Sequence, residues 1–297
     1  MKERLYKLYK WSNSWTGTIV IVLFVIFFIA QAFRIPSGSM KDSLLIGDHL
    51  FAKKFAYGIP MPYIPFLEIP IIPWSDKLKI VDGDTPKRGD IVIFRPPQNL
   101  KTHFVKRCFA LPGDEVLYTK DTLYLHPKEG DDYIKTHYKG EHIISLSGKL
   151  WVKNPLMSKH PGIHYDKNHE VFVDYIYRLF NAPSTIDMKP VSIPELPKLY
   201  AKYGRFEFNA FYKKVEPNHY YMIGDNRNHS NDSRYWGSVP YDNIEGTPWF
   251  IYFSINKDYE IRWERMFKTP SDLEDPAIIQ KAIAERKEQD KNDHGLY

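Results

Sequence analysis

Phe104-Val105-Lys106-Arg107-Cys108-Phe109-Ala110, closed by Leu111-Pro112-Gly113-Asp114, decides how this chain is read. The run from Thr102 to Ala110 reads as a buried strand, and Leu-Pro-Gly-Asp as the turn that ends it. Just upstream, Lys87-Arg88-Gly89-Asp90 reads as a turn and Ile91-Val92-Ile93-Phe94 as the buried strand after it. Downstream, Glu115 to Leu125 continues with alternation. Tyr220-Tyr221-Met222-Ile223 is another strand, running into Gly224-Asp225-Asn226-Arg227, and Trp249 to Ile255 is a late apolar one. With 22 prolines and many Tyr, Phe and Ile residues, the chain is expected to be mainly β rather than a helical bundle.

Composition narrows the function classes. The 297 residues allow one large domain or two smaller ones, and 43% hydrophobic residues suffice for a substantial core. The net charge of +5 is a mild excess. No basic run interleaved with aromatics forms a nucleic-acid surface, so no nucleic-acid partner is expected, and the basic balance suits an anionic membrane surface. Cys108 is the single cysteine, so no intrachain disulfide or thiol metal cage can form. It is read as a small buried side chain rather than a reactive thiol. His160, His164 and His169 cluster, but Pro161-Gly162 breaks the helix a zinc pair would use. Neither a metal nor another cofactor is expected.

The N-terminus carries a membrane signal. Trp11 through Phe33 is free of charge, and Ile19 to Ala30 is wholly apolar. Lys2, Arg4, Lys7 and Lys10 precede it and only Arg34 follows closely. A transmembrane helix over 15–33 is expected, with a cytoplasmic N-terminus and the rest of the chain outside. Ala30-Gln31-Ala32 also fits the end of a cleavable signal peptide. A retained anchor is preferred because the uncharged stretch is long enough to span, and both readings export the remainder of the chain.

The rest is less regular. Ser43 to Ala56 reads as a strand region broken at Gly47-Asp48, and Gly58 to Pro73 as a proline-rich extended loop. Between His126 and Val215, Glu170 to Phe180 and Arg205 to Tyr212 look like strands. Pro276 to Lys287 has a short amphipathic pattern through Ile278, Ile279, Ala282 and Ile283, in what reads as a loosely attached tail.

Chemistry enters through a serine and a lysine. A serine hydroxyl is a weak nucleophile until a base takes its proton. A lysine of ordinary pKa, about 10.4, is well under ~1% neutral at about pH 8. Burial among apolar neighbours lowers that pKa. Lys106 sits between Val105 and Arg107, with Phe104 and Cys108 nearby, so desolvation there is plausible if its side of the strand faces the core.

The company of Lys106 distinguishes it from an exposed strand lysine. Pro36-Ser37-Gly38-Ser39-Met40 comes first, then Leu44-Leu45-Ile46-Gly47-Asp48 and Lys87 through Phe94. Val105-Lys106-Arg107 with Leu111-Pro112-Gly113-Asp114 is next, and last Gly224-Asp225-Asn226-Arg227-Asn228-His229-Ser230-Asn231-Asp232-Ser233-Arg234-Tyr235-Trp236-Gly237. This ordered set resembles the bacterial type I signal peptidases (leader peptidases), serine/lysine dyad proteases. The resemblance implies a signal-peptidase-type β-rich catalytic domain with an inserted subdomain, after one transmembrane helix. It implies removal of signal peptides from exported preproteins, and the lipid bilayer and those preproteins as partners.

By position, the resemblance makes Ser39 the nucleophile and Lys106 the general base. Ser39 N–H and the Ser37 hydroxyl become the oxyanion donors, Ser230 the serine that orients the lysine, and Asp232 with Arg234 a supporting ion pair. Phe33, Ile35, Met40 and Val105 match the lining of shallow pockets that accept small side chains one and three residues before the cut, hence an Ala-x-Ala preference. The chain then divides into a cytoplasmic N-terminus 1–14, the transmembrane helix 15–33, catalytic β parts 34–125 and 216–267, an inserted subdomain 126–215 and a charged tail 268–297. The enzyme is placed in the bacterial inner (plasma) membrane, single-pass, with its catalytic domain periplasmic.

Two departures stand out. Lys41-Asp42-Ser43 comes after Met40 where many relatives have a proline, and Ala110 replaces a commoner glycine. A Ser/His/Asp hydrolase using His229 is the nearest rival. A self-cleaving Ser/Lys repressor is disfavoured by the export signal, and a membrane-tethered binding module leaves the paired motifs unexplained.

Overall fold

The computed structural model describes residues 2–64, 69–70, 78–120, 122–165, 171–198, 200–201 and 204–294, and its frame is mainly β. The chain opens with helices α1 (Lys2–Ser12) and α2 (Trp15–Phe24). The Ser14 side chain caps α2 by accepting from Gly17 N–H. A π turn, Val25–Ile29, extends α2, and strand β1 (Ala30–Arg34) comes next.

The helix expected over 15–33 therefore stops early. Ala30 to Arg34 instead form an antiparallel ladder with β2 (Asp48–Lys53), pairing Ala30 with Lys53 and Arg34 with His49. Pairing with β2 satisfies the backbone groups of alternate residues along this edge strand. The helical run of residues 15–29 is about 22 Å long at 1.5 Å per residue, against ~30 Å of hydrocarbon. Among the described residues no helix is long and apolar enough to cross a membrane.

Next come β3 (Ile91–Phe94), β4 (Phe104–Ala110), β5 (Glu115–Thr119) and β6 (Thr122–His126). Helix α3 (Asp131–His137), β7 (His142–Leu146), β8 (Lys149–Lys153) and helix α4 (Val171–Asn181) succeed them, then β9 (Lys189–Val191), β10 (Ala210–Lys214) and β11 (His219–Ile223). The chain ends with α5 (Ser233–Trp236), β12 (Val239–Pro240), β13 (Ile244–Ser254), α6 (Pro270–Leu273) and α7 (Pro276–His294). One seven-stranded sheet has the order β1-β2-β13-β3-β4-β11-β12. A six-stranded sheet has the order β7-β8-β6-β5-β10-β9.

The opening motif joins the two sheets. Its turn between β4 and β5 needs Gly113 at φ +90°, a region that glycine enters without penalty. Asp114 holds the turn by accepting from Leu111 N–H at 2.7 Å and from Arg88 Nε and Nη2 at 2.8 and 2.7 Å. One core then spans both sheets: Phe109, Tyr221 and Ile223 pack with Val116, Tyr118, Leu125, Val152 and Phe211. The boundary expected at 125/126 consequently cuts through the second sheet, whose strands β5 and β6 begin before it.

Two further expectations change. Val171 to Asn181 is helical, not a strand; Glu170 lies outside the described residues. The Val/Tyr/Phe richness suggested a strand, but Phe172, Tyr175, Ile176 and Leu179 fall at helical spacing and all pack into the shared core. The C-terminal segment is no loose tail. Thr269 and Asp272 form a capping box, Ile279 and Ala282 of α7 are buried, and Arg262 holds Glu285 through two hydrogen bonds. Of the expected loop 58–73, Gly58–Pro60 pairs with Lys79–Asp82, while 65–68 and 71–73 lie outside the described residues. Cys108 is fully buried, and burial pushes its thiol pKa up, away from reactivity.

Candidate active site

Alternation along β4 sends neighbouring charges to opposite faces. Lys106 Nζ lies 2.7 Å from Ser39 Oγ and 3.0 Å from the Val105 carbonyl. Arg107, one residue on, forms a bidentate pair with Asp225 at 2.8 and 2.6 Å and donates to the Gly89 carbonyl at 2.7 Å. Both side chains are almost completely buried, at 5% and 2% exposure.

Their surroundings produce opposite charge states. Burial pushes the Lys106 pKa down to about 8, against the upward pull of Asp232 and Asp225. Burial alone would raise the Asp225 carboxyl, but Arg107 and the Ser43 hydroxyl hold it below its usual value. Arg107 is held above its usual value by that carboxylate, which outweighs its own burial. At about pH 8 roughly half of the Lys106 amines are then neutral, and the 2.7 Å contact can run from hydroxyl to amine. Such an amine can take the proton of the serine beside it.

Ser39 sits in a 3-10 turn, Gly38–Met40, just after the extended residue Ser37. The two serine hydroxyls are 3.5 Å apart. The Ser39 carbonyl accepts from Asn226 N–H at 3.1 Å, and Ser43 donates to Asp225 at 2.6 Å. The 224–226 loop thus grips the turn that carries Ser39 twice. Gly224 is required there: a β-carbon would lie 2.3 Å from Ser230 Oγ and 2.5 Å from the Ser39 carbonyl oxygen.

Ser230 lines the same cavity and is buried. Its hydroxyl has no hydrogen-bond partner among the described residues, and the hydrogen bonds of Lys106 run to Ser39 and Val105. Asp232 and Arg234 are fully buried and pair twice at 2.8 Å. Arg234 also donates to the Arg227 carbonyl at 2.7 Å, and Gly224 N–H donates to Asp232 at 3.2 Å. The pair therefore closes the loop from Gly224 to Arg234 on itself.

A cavity of about 640 Å³ opens over this group. Phe33, Ile35, Met40 and Val105 are among its lining and also pack in the core under β1, β2 and β3. The lining also includes Asn228, His229 and Tyr235, together with Asp174 and Arg178 of α4. Helix α4 also props the loop from behind, because the Tyr175 hydroxyl donates to the Arg234 carbonyl at 2.6 Å. Sequence reasoning missed these α4 residues by taking their segment for a strand. It also missed Arg107 with Asp225, and Gly224; two opposite charges inside two quoted motifs were the available signal. His160 pairs with Glu274 and His164 with Asp42, whereas His169 lies outside the described residues. Among the described residues no group of His, Cys, Asp or Glu could hold a metal ion.

The family model described as signal peptidase, peptidase S26, matches residues 8–253. A signal peptidase I of Helicobacter pylori strain J99 is 46% identical over 94% of this chain and 98% of its own length. One from Pseudomonas fluorescens is 31% identical over 85% of this chain and 76% of its own. Among solved structures, a signal peptidase I from Enterococcus faecalis V583 is 25% identical, covers 55% of this chain and 97% of its own, and gives a TM-score of 0.25.

Proposed function

Because this chain belongs to the signal peptidase family, peptidase S26, we propose that it is a membrane-anchored serine endopeptidase. It removes signal peptides from exported preproteins by cutting after an Ala-x-Ala-like site. The observation that carries the reading is Lys106 Nζ, buried and 2.7 Å from Ser39 Oγ, with its pKa brought down to about 8.

The reaction derives from that pair. Neutral Lys106 takes the Ser39 proton as Oγ attacks the scissile carbonyl carbon. The oxyanion that forms is met by Ser39 N–H and the Ser37 hydroxyl, donors of a type worth roughly 3–4 kcal/mol each in hydrolases. Lys106 then gives the proton to the departing amine, leaving the signal peptide as an ester on Ser39. Water, deprotonated by Lys106, attacks the ester and releases the peptide carboxylate and free Ser39. Asp232 and Arg234 keep the loop in place, and Ser230, on that loop, orients Lys106.

Phe33, Ile35, Met40 and Val105 make an apolar wall suited to small side chains, which supports the Ala-x-Ala preference. Anchoring rests on the uncharged residues 11–29 and on the large apolar side chains that α2 turns outward. Trp15 is 87% exposed, and Ile19 through Phe24 are all exposed. A surface of this kind calls for lipid or a partner. We place the N-terminus in the cytoplasm and the catalytic domain outside a bacterial inner membrane. The test is cleavage of a preprotein by full-length enzyme in detergent or vesicles, beside Ser39→Ala, Lys106→Ala and His229→Ala. Ser39→Ala and Lys106→Ala should be inactive and His229→Ala active. Loss of activity in His229→Ala alone would refute the dyad.

A further inference from the structure

The nucleophile turn is gripped from a direction that the reaction does not account for. Asp42, three residues after Ser39, is 1% exposed and has φ +74°, a left-handed conformation that side-chain-bearing residues adopt at a cost. Its carboxylate faces two cationic or potentially cationic groups from distant parts of the chain. His164 Nδ1 is 3.2 Å from one oxygen, and Arg286 Nε of α7 is 3.2 Å from the other. His164 Nδ1 also lies 2.9 Å from the Gly162 carbonyl, which requires that nitrogen to carry the proton.

The surrounding bonds tie Asp42 to the site. Met40, between Ser39 and Asp42, accepts from Ser43 N–H at 3.1 Å and Leu44 N–H at 2.7 Å, so the turn moves as one piece. His164 N–H donates to the Asp225 carbonyl at 2.9 Å, next to the loop that holds the Ser39 carbonyl. Gly162 packs against Ser43 so tightly that a β-carbon would lie 2.2 Å from Ser43 Oγ. The end of the chain makes a second contact with this network: Glu274 lies 3.2 Å from Arg107 and 2.7 Å from His160.

We infer that Asp42 and Arg286 are positioning residues for Ser39, and that α7 is a working part of the active site. The ion pair holds Asp42 in its left-handed conformation. That conformation sets the turn back to Ser39, while Lys106 is fixed separately on β4. Losing the pair lets the turn relax, and the hydroxyl drifts from an amine that stays where it was. The inference rests on the reading of Ser39 as nucleophile and deepens it. Asp42 lies in the Lys41-Asp42-Ser43 stretch, where the sequence departs from the family pattern.

The experiment measures kcat, KM and the pH midpoint of kcat for full-length wild type, Arg286→Met, Asp42→Asn, the double variant and Arg286→Lys. Ser39→Ala is the inactive control and Lys287→Met the exposed neighbour on α7. For Arg286→Met and Asp42→Asn kcat should fall on the order of 10- to 100-fold, the scale of a misplaced reacting group. KM should stay within about twofold and the pH midpoint should not move. The double variant should lose no more than the worse single variant, Arg286→Lys should recover most of the loss, and Lys287→Met should match wild type. Single variants with wild-type kcat, losses confined to KM, or losses that multiply in the double variant would overturn the inference. So would failure of both single variants to melt cooperatively above the assay temperature, which would make the pair a structural one. Inactivity of the wild type would instead sink the underlying protease reading, an outcome that the Ser39→Ala control separates.

Discussion

Gly224 presses its backbone against the turn that carries Ser39. A β-carbon at position 224 would stand 2.5 Å from the Ser39 carbonyl oxygen and 2.3 Å from Ser230 Oγ. Neither distance can be relieved by a flexible side-chain end, since one atom is backbone and the other belongs to a short buried residue. Gly224→Ala should therefore displace Ser39 and, under the proposed mechanism, lower kcat on the order of 100-fold or more, with a smaller change in KM. Steady-state kinetics on a folded preparation decides it, and a variant with wild-type kcat would show that the loop can move aside.

Under the proposed mechanism Lys106 must be neutral to act, so the rate should depend on pH with one proton lost. Its pKa is brought down to about 8 by burial. Below that value kcat/KM should fall about tenfold per pH unit, and above it level off. Lys106→Arg should be inactive across the range, because a guanidinium does not deprotonate. A flat profile between pH 6 and 9 would remove Lys106 as the base.

Ser37 also lies near the hydroxyl, with its oxygen 3.5 Å from Ser39 Oγ. As an oxyanion donor it is worth roughly 3 kcal/mol, so Ser37→Ala should cost on the order of 100-fold in kcat. The pH midpoint should remain that of the wild type, since the Lys106 hydrogen bonds do not include Ser37. A shifted midpoint with little loss of rate would assign Ser37 to the lysine instead.

Asp225 neutralises the buried Arg107. Asp225→Asn should leave that guanidinium poorly compensated and cost about 3–5 kcal/mol, lowering Tm by on the order of 10 °C. Because Asp225 and Asp232 are held below their ordinary pKa, the wild type keeps their contribution at neutral pH. It loses that contribution as pH falls from the ordinary carboxylate range through the depressed folded-state values. Thermal melts at pH 7 and pH 3.5 measure both effects, and an Asp225→Asn protein with wild-type Tm would refute the account.

Ala30-Gln31-Ala32 resembles a cleavage site, yet all three residues are paired into β1 against Lys53, Ala52 and Phe51. A protease needs an extended strand lifted into its cavity, and this one is committed to a sheet. Intact-mass measurement of purified protein should find Met1 to Ala32 retained. A species beginning at Phe33 would contradict this.

Much of the frame could be read from β4 and its turn, because buried strands declare themselves through apolar runs and Pro-Gly-Asp through its backbone demands. Ser39 and Lys106 were legible through motifs, and the structure brings them within hydrogen-bond distance. Helix α4 was not: Val, Tyr and Phe favour strands locally, and only the shared core selects the helical spacing of Phe172, Tyr175, Ile176 and Leu179. Helix α7 was taken as loose because its sequence is mostly polar. Ile279 and Ala282 are buried beneath it, and Arg286 pairs with Asp42, a partner at the far end of the sequence. The helix end at Ile29 was hidden for the same reason, since the pull of β2 on Ala30–Arg34 leaves no trace in hydropathy.

The short path from β1 to Ser39 turns the sheet into a ruler. No slack tether separates the apolar segment from Ser39: Arg34 closes the ladder with β2, and Ile35 N–H donates to the Asp48 carbonyl only four residues before Ser39. Under the proposed anchoring, the height of the cutting point above the lipid is set by folded structure and does not fluctuate with a linker. Precursors would then be sorted by the length of their polar stretch as well as by its small residues. Freed from its first 29 residues, the enzyme would keep its chemistry and lose its sense of depth.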